Sequence, residues 1–343
     1  MQFTLVSTVF NEAKRIDQTI DDLAKQVLQP DEIIITDAGS NDGTYEILKK
    51  WQAASSIPII ILQKVRCNVA EGRNMAIKAA KHPIIASMDF GCRYHPKWLE
   101  SIITPFSDPQ VMVVGGAFSV QEEEIETISA KAAYVLFNGY NINADLEGFI
   151  PSSRSIAYRK EVYDNVGGYL EWLTLAADDL VFGMMVKKKG YDIFRVNKSY
   201  AFWMRHKTAK AYAKEGYRYG LGDGEARVQF EKFKKRLLGK IYRVAFFADI
   251  LFILLGLIFV NKLSIIPVIL AFVLAFSLRF YIGYFNNWKH LRSNKYDIFT
   301  LLYSFYLVEK TSTSYIKGYI KGYYYSSALQ KREAIQLNKL LEA

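Results

Sequence analysis

The sequence predicts an α/β fold, with a mostly parallel sheet flanked by helices and a following α-helical membrane region. Short apolar strands alternate with helical patterns from Gln2 to about Phe118, which is typical of a parallel sheet covered on both faces. Two long apolar runs follow later in the chain, between residues 244 and 285. We therefore divide the chain into a globular domain, 1–230, and a membrane-associated region, 231–343.

The composition of the 343 residues favours contact with a membrane surface. Hydrophobic residues make up 51% of the chain, and the formal net charge is +10. Basic clusters at 232–243 and 289–295 flank the apolar runs, and no nucleic-acid-binding signature is visible. The two cysteines, Cys67 and Cys92, cannot build a disulfide framework or a four-ligand zinc site, which indicates a reducing compartment.

The predicted strands place polar residues at one edge of the sheet. The strands read FTLVSTV, EIIIT, PIIILQ, PIIASM and VMVVGGAF, and the helices between them lie near Lys14–Val27, Thr44–Ala54 and Asn68–Lys81. The first strand ends at Thr8–Glu12, the second at Asp37 and the fourth at Asp89. Open α/β folds bind ligands at the carboxyl ends of their strands, so these residues are the first candidates for a site.

Each of these candidates also has a purely structural interpretation. Asp89 and Gly91 fit a simple turn after the fourth strand. Asp37 opens the loop DAGSNDGT, and the later residues of this loop fit helix caps. The carboxylate of Asp37 itself, at the strand end, suits contact with a ribose hydroxyl or a base N–H. Arg73, in the triplet GRN, has two interpretations: contact with a base or phosphate of a ligand, or exposure to solvent. No GxGxxG follows the first strand, which argues against the usual dinucleotide site.

The motifs VSTVFNE, DAGSNDGT, GRNMAI and MDFG, in this order, resemble the family-2 glycosyltransferases of the GT-A fold over about two thirds of the chain. The resemblance implies a nucleotide-diphospho-sugar donor bound by residues 1–118 and an acceptor bound by 119–230. The residues that it places around the donor nucleoside are Phe10, Asn11, Glu12, Asp37 and Arg73.

The resemblance also implies a divalent cation, Mg²⁺ or Mn²⁺, at the donor diphosphate. Asp89 takes the first position of the family's DxD metal motif, but Gly91 stands where a second Asp is usual. With one carboxylate, the cation would complete its coordination with the diphosphate and water. His206 is a further candidate metal ligand, with a structural role as the alternative, and Arg205 beside it is a candidate for holding diphosphate charge.

On the acceptor side, the sequence predicts a helix over Glu122–Phe137, then a strand, a helix and a Gly-Gly turn over Ile150–Tyr169. The resemblance makes three residues of the second stretch candidate acceptor contacts, namely Ser152, Ser153 and Arg154. Arg218 is another, because it is what remains of the QxxRW motif that processive polymerases of the family carry.

Asp178 and Asp179 open a predicted helix. Acidic residues at a helix N-terminus are stabilising in themselves, which is the structural interpretation of the pair. The resemblance instead makes them catalytic, since the family carries an acidic pair here whose second member is the general base. Asp179 takes the position of that base, which an acceptor hydroxyl needs in order to lose its proton.

The runs 244–260 and 264–285 are long enough to cross a membrane and predict a transmembrane hairpin. Their basic flanks place both ends on the cytoplasmic side, together with the globular domain. The tyrosine-rich segment 297–325 predicts an interfacial helix or a third membrane helix, and the tail from Lys331 a short amphipathic helix.

From the resemblance we expect an integral membrane enzyme of hexosyltransferase type, with its catalytic domain in the cytoplasm. It would transfer a sugar with inversion to a lipid-linked or glycan acceptor, with Asp179 as base and Asp89 at the metal-bound diphosphate. A processive polysaccharide synthase is the alternative within the enzyme class, although the lost QxxRW argues against it. A nucleotide-sugar-binding membrane protein without turnover is the alternative outside the enzyme class, because Gly91 replaces the usual second carboxylate of the metal motif.

Overall fold

The computed structural model describes residues 1–136, 148–259, 269–270 and 297–342. Of the predicted transmembrane hairpin, residues 244–259 belong to a long helix, whereas 260–268 and 271–285 lie outside the described residues. The basic cluster at 289–295 and Phe137, at the end of a predicted helix, also lie outside them.

One eight-stranded sheet runs through the globular domain in the order β3-β2-β1-β4-β7-β6-β8-β5. The strands are β1 (Phe3–Val9), β2 (Glu32–Asp37), β3 (Ile59–Gln63), β4 (Ile84–Ser87), β5 (Cys92–Tyr94), β6 (Val113–Ser119), β7 (Ile156–Arg159) and β8 (Ile193–Trp203). The five predicted strands are all present as β1–β4 and β6. The sequence patterns did not predict β5 and β8, because neither is a purely apolar run.

The helices lie around this sheet and beyond it. They are α1 (Ile16–Ala24), α2 (Thr44–Ala54), α3 (Val69–Ala79), α4 (Trp98–Ile103), α5 (Ile128–Leu136), α6 (Lys160–Val166), α7 (Asp178–Lys188), α8 (Ala209–Glu225), α9 (Phe230–Phe259), α10 (Ile298–Tyr325) and α11 (Ala328–Glu342). Two short 3-10 helices cover Thr104–Ser107 and Glu122–Glu124. The helix predicted to begin at Glu122 therefore begins only at Ile128.

The sheet is covered on both faces, as predicted. Leu5 and Ile33 belong to the hydrophobic core on one side, and their neighbours Val6 and Ile34 belong to the core on the other. Alternation of this kind follows from the two-residue period of a strand, whose successive side chains point to opposite faces. All four residues of β4 are buried, so this central strand holds its carboxyl end in a fixed place.

The sheet is mixed rather than mostly parallel, which corrects the prediction for its second half. Strands β1–β4 pair in parallel, but β7 runs antiparallel to both β4 and β6. Ile156, the first residue of β7, pairs with Ser87, the last residue of β4. This reversal places the turn before β7 at the same sheet edge as Asp89, which follows β4. Sequence patterns give the presence of a strand but not its direction.

Helices α8 and α10 touch through their backbones. A Cβ atom at Gly220 would lie 2.0 Å from the carbonyl oxygen of Tyr315, and one at Gly318 would lie 2.2 Å from that of Tyr217. Gly224 and Gly322, one turn further along each helix, are in the same situation. A larger residue at any of these positions would push the helices apart, so the glycines fix the distance between them.

Helix α10 corresponds to the segment 297–325, for which we predicted an interfacial or third membrane helix. One side of α10 is buried, including Leu307 and Tyr315, and it meets α8 of the globular domain. The predicted C-terminal helix is present as α11, which buries Ala334 and Leu337. Within the described ranges, we find no helix that has both the length and the apolar character needed to cross a membrane.

Candidate functional site

A cleft of ≈ 340 Å³ opens at the carboxyl edge of the sheet. It is bordered by the end of β1, the N-terminus of α3, the turns after β4 and before β7, and the N-terminus of α7. The predicted site residues that line it are Phe10, Glu12, Arg73, Asp89, Gly91, Ser153, Arg154, Asp178, Asp179 and Arg218. Asp89 and Asp179, which lie far apart in the sequence, therefore share one cavity.

Arg73 is the buried cation at the base of the cleft. Its side chain is only 2% exposed and bridges two carboxylates, with a short ion pair to Asp178 and a second contact of 3.2 Å to Asp89. The ring of Tyr169 covers the guanidinium at 5.0 Å from its centroid. The solvated orientation that the sequence left open for Arg73 is therefore excluded. A buried guanidinium is stable only with such partners, so its position fixes both carboxylates.

The GRN triplet has a structural explanation for each residue. A Cβ at Gly72 would lie 2.4 Å from the hydroxyl oxygen of Thr8, so only glycine lets α3 approach the end of β1 this closely. The side chain of Asn74 donates to the carbonyl of Tyr169 at 2.8 Å and accepts from its N–H at 3.0 Å. The triplet thus places Arg73 and holds the aromatic residue that covers it.

Asp178 and Asp179 differ in their surroundings. Burial raises the pKa of Asp178 to about 6; Arg73 opposes this shift, while the neighbouring carboxylates of Asp179 and Asp89 add to it. Asp179 accepts a hydrogen bond from the Ser152 hydroxyl at 2.9 Å through Oδ2. Its Oδ1 accepts from the backbone N–H of Leu180 at 2.8 Å. Asp178 is therefore committed to the buried ion pair, whereas Asp179 is held at the cleft by neutral donors.

A chain of contacts links Asp179 to Asp89 across the cleft. Arg154 donates to the hydroxyl oxygen of Ser152 at 2.7 Å, and Ser152 in turn donates to Asp179. On its other side, the Arg154 Nε lies 4.0 Å from the nearer Asp89 oxygen. A change in charge at Asp89 is therefore coupled to the orientation of Asp179 through two side chains.

Aromatic residues hold Arg154 in place. Its guanidinium lies 4.0 Å from the ring centroid of Trp203 and 4.9 Å from that of Phe118. The hydroxyl of Tyr94 lies 3.1 Å from the carbonyl oxygen of Asp89 and 3.2 Å from that of Arg154, and it accepts from the Asp89 N–H at 3.0 Å. These contacts fix the two turns that carry the charges.

Phe10 and Glu12 lie at the side of the cleft next to the end of β1. Phe10 is 57% exposed, which leaves its ring free to contact a flat ligand. Burial raises the pKa of Glu12, and the nearby Asp42 and Asp89 add to this shift against the effect of Arg15. A carboxyl group that resists ionisation can accept or donate a hydrogen bond to a ligand.

Asn11 and Asp37 are not among the residues that line the cleft. Asp37 is 0% exposed, and its carboxylate accepts hydrogen bonds from the N–H groups of Gly39 and Ser40 and from Gln63. Asn11 has a left-handed backbone with φ 56° and accepts from the Asn41 N–H at 3.0 Å. Both side chains brace the loops behind Phe10 in this structure, so direct contact with a nucleoside remains a prediction.

Asp89 is the residue for which the sequence predicts contact with a divalent cation. Its side chain is 33% exposed, and a Cβ at Gly91 would meet no atom within 4 Å, so there is open space beside it. Four carboxyl side chains line the cleft, those of Glu12, Asp89, Asp178 and Asp179, together with three arginines, Arg73, Arg154 and Arg218. In the described part of the chain, no three His, Cys, Asp or Glu side chains gather as metal ligands. Asp89 would thus share a cation with the donor diphosphate and water.

His206 and Arg218 lie at a second pocket of ≈ 410 Å³ next to the cleft. The Nε2 of His206 is 3.6 Å from Glu215, which also receives two hydrogen bonds from Arg205 at 3.0 and 2.7 Å. His206 and Arg205 therefore both contact the carboxylate of Glu215. Asp89 is not among the residues that line this pocket. Arg218 lines both cavities.

Several residues that shape the site were not predicted from the sequence. Tyr94, Trp203 and Glu215 were not singled out because each acts on a charged neighbour that only the folded chain brings into contact with it. For Trp203, the alternation of aromatic and basic residues in AFWMRH was an available signal, since arginine stacks on aromatic faces. For Tyr94 no sequence signal exists, because its role depends on the turn that brings β5 back towards Asp89.

The fold and the cleft define a GT-A-like domain, a curled mixed sheet with carboxylates and arginines at its carboxyl edge. Residues 4–167 match the family described as Glycosyl transferase family 2. Just under half of the chain is thus similar to this family, which agrees with the predicted class of glycosyltransferases.

Individual relatives agree with this assignment. Glycosyltransferase AglE of Haloferax volcanii is 24% identical over 178 residues, which are 51% of this chain and 58% of that protein. O-antigen chain rhamnosyltransferase RfbN of Salmonella typhimurium is 22% identical over 211 residues, or 56% and 63% of the two chains. The chain thus spans less than two thirds of the length of these relatives.

Among solved structures, the mannosyltransferase PcManGT from Pyrobaculum calidifontis, in complex with GDP-Man and Mn²⁺, has a TM-score of 0.54 and 14% identity. The match covers 95% of this chain and 88% of that one. At this level of identity the likeness supports the fold.

The bridge made by Arg73 predicts a pH-dependent loss of stability in the variant Arg73→Gln. Without the guanidinium, the folded-state pKa of Asp178 rises further above its ordinary value of 3.8. A carboxyl whose pKa is raised on folding stabilises the fold at low pH, and this contribution is lost as the pH rises through the folded-state pKa. We expect a loss of about 3–5 kcal/mol in the free energy of unfolding at pH 8, measured by urea denaturation, and a smaller loss at pH 5.

The double variant Arg73→Gln/Asp178→Asn is the control, because it removes both charges of the pair. It should recover part of the lost stability and lose the difference between pH 5 and pH 8. An Arg73→Gln variant as stable as the wild type at pH 8 would contradict the buried bridge.

Proposed function

We propose that this chain is an inverting glycosyltransferase that transfers a sugar from a nucleoside diphosphate donor to an acceptor hydroxyl. The observation that carries the proposal is that Asp89 and Asp179 face one cleft, together with the buried Arg73 and the partly buried Arg154. The family match of residues 4–167 supports the reaction class. The relative that is bound to GDP-Man and Mn²⁺ supports a nucleotide-sugar donor and a divalent cation.

The proposed reaction is a single displacement at the anomeric carbon. The acceptor oxygen forms the new bond while the bond from that carbon to the diphosphate oxygen breaks, and the acceptor proton passes to Asp179. Ser152 holds one oxygen of Asp179 at 2.9 Å and so orients the carboxylate towards the acceptor. Positive charge from Arg73 and Arg154 lies beside Asp89, where negative charge grows on the leaving group.

Asp89 is the proposed protein ligand of a Mg²⁺ or Mn²⁺ ion, with the donor diphosphate and water as the other ligands. When bound, such an ion neutralises negative charge on the diphosphate oxygens. The open space at Gly91 leaves room for those ligands, since no side chain fills the position of the second motif carboxylate.

We further propose that the chain is anchored in the cell membrane, with its catalytic domain on the cytoplasmic side and a lipid-linked or glycan acceptor. The apolar runs between 244 and 285 and their basic flanks support this proposal. The exposed Phe299, Leu302 and Ile241 suit the same lipid boundary. The expressed full chain should stay with the membrane fraction after alkaline carbonate extraction, and its release into the supernatant would contradict the anchor.

The variant Asp179→Asn should abolish turnover while leaving donor binding intact. An amide cannot take the acceptor proton, so the release of nucleoside diphosphate should fall by at least about 100-fold in an assay with nucleotide sugar and membrane extract as acceptor source. The dissociation constant of the nucleoside diphosphate should stay within about twofold of the wild-type value. Asp192→Asn is the matched control, since Asp192 is exposed. Retained turnover in Asp179→Asn would exclude the assigned base.

The variant Gly91→Asp should strengthen cation binding without disturbing the fold. The added side chain has open space and supplies a second carboxylate beside Asp89. We expect the dissociation constant of Mn²⁺, measured by calorimetry with nucleoside diphosphate present, to fall about tenfold. Gly91→Ala should leave it unchanged. No gain in Gly91→Asp, with an unchanged melting temperature, would contradict a cation at Asp89.

A further inference from the structure

The pocket beside the cleft carries two cations, Lys214 and Arg218, that form no ion pair with any described residue. One face of α8 lines it with Ala211, Lys214, Glu215 and Arg218. Residues three and four apart share a helix face, so Lys214 and Arg218 lie one turn from each other. In the described part of the chain, neither side chain has a hydrogen bond or an ion pair.

Glu215 lies between these two cations but is already neutralised by other residues. Burial alone would raise its pKa, but hydrogen bonds from His206 and Arg205 outweigh burial and lower the pKa of Glu215 to about 2. Arg205 is itself buried beneath the pocket and packs on Trp203 at 3.6 Å from the ring centroid. The negative charge of Glu215 is therefore neutralised by its ion pair with Arg205. The positive charges of Lys214 and Arg218 remain available to a ligand.

The pocket is continuous with the cleft that holds Asp179. Leu175, Ala176, Arg218 and Tyr219 line both cavities. A molecule in the pocket can therefore reach the proposed base, whereas the predicted donor residues Phe10 and Glu12 line only the cleft. The position of the pocket thus suits the acceptor rather than the nucleotide.

The lining combines charge with apolar surface. Leu175 is 42% exposed and Tyr219 is 37% exposed, and both line the pocket together with the cations. An arginine fork and a lysine ammonium together match the oxygens of a phosphate group, and the apolar side chains suit the carbon part of an ester.

We propose that this pocket binds a phosphate ester group of the acceptor, with Lys214 and Arg218 as its ligands. The inference rests on the proposed glycosyl transfer, because it names the class of acceptor for the same cleft. The shared chemistry is a phosphate ester, whose carbon part is either a prenyl lipid or a water-soluble glycan. A volume of ≈ 410 Å³ holds the phosphate together with the first carbon groups attached to it.

The test measures binding rather than turnover, with the purified full chain in a non-ionic detergent. Calorimetry with farnesyl phosphate, glycerol phosphate, farnesol and inorganic phosphate compares the possible sources of the group. Lys214→Gln is the sharpest variant, because Lys214 lines only this pocket and not the donor cleft. Lys210→Gln is the matched control, since Lys210 is an exposed lysine of α8 outside the pocket.

We expect Lys214→Gln to weaken phosphate ester binding about 10-fold, and Lys214→Gln/Arg218→Gln to weaken it about 100-fold. Lys210→Gln should bind like the wild type, and Lys214→Gln should bind nucleoside diphosphate normally. Wild-type affinity should fall with added salt, as expected for exposed cations. Stronger binding of farnesyl phosphate than of glycerol phosphate assigns the lipid source, and the reverse order assigns the soluble one.

Two results would overturn the proposal. One is phosphate ester binding that is equally strong in the wild type, in Lys214→Gln and in the double variant Lys214→Gln/Arg218→Gln. The other is binding in which inorganic phosphate matches the esters, or farnesol matches farnesyl phosphate. Failure of the proposed function looks different, because Asp179→Asn would then retain turnover, or no nucleotide sugar would be consumed, while ester binding still depended on Lys214.

Discussion

The buried guanidinium of Arg73 is the interaction on which the site depends. A cation removed from water needs compensating charge, and Arg73 finds it in Asp89, after β4, and in Asp178, at the start of α7. Three elements from distant parts of the chain are thereby tied to one point. Because α7 begins at Asp178, the same ion pair also fixes where the next residue, Asp179, enters the cleft. The bridge therefore determines geometry more than it adds stability.

The reversal of β7 supplies the other half of the constraint. Antiparallel pairing with β4 brings the turn before β7 to the edge that Asp89 occupies. The Trp98 indole donates to the Ser155 hydroxyl at 2.9 Å and holds this turn from below. Ser152 and Arg154 are thus placed between Asp89 and Asp179, and their contacts link the two carboxylates. A parallel strand at this position would begin at the opposite edge of the sheet.

Helix α8 connects the site to the C-terminal region. Its Gly222 lies against the carbonyl of Ala176, where a Cβ would come within 2.4 Å, and its Glu225 accepts two hydrogen bonds from Thr174. The segment just before Asp178 is therefore packed on α8. On its other side, α8 touches the backbone of α10 at Gly220. Helix α8 is therefore packed between α10 and the segment that leads into α7, next to the cleft.

The sequence by itself determined the first half of the sheet, because apolar runs of four to seven residues with polar ends have few other solutions in a folded chain. It also predicted that Arg73, Asp89 and Asp179 lie at one site, because their motifs follow the order of the family that the chain resembles, and all three line the same cleft. The direction of β7 and the existence of β8 were decided only by tertiary structure, because pairing partners lie far away in sequence. Asp37 shows the same limit: its position after β2 predicts a ligand contact, whereas the hydrogen bonds from loop N–H groups to its carboxylate could be seen only in the folded chain. Local pattern fixes which groups reach the sheet edge, whereas only the packed fold decides which of their charges are already neutralised and which stay free to bind.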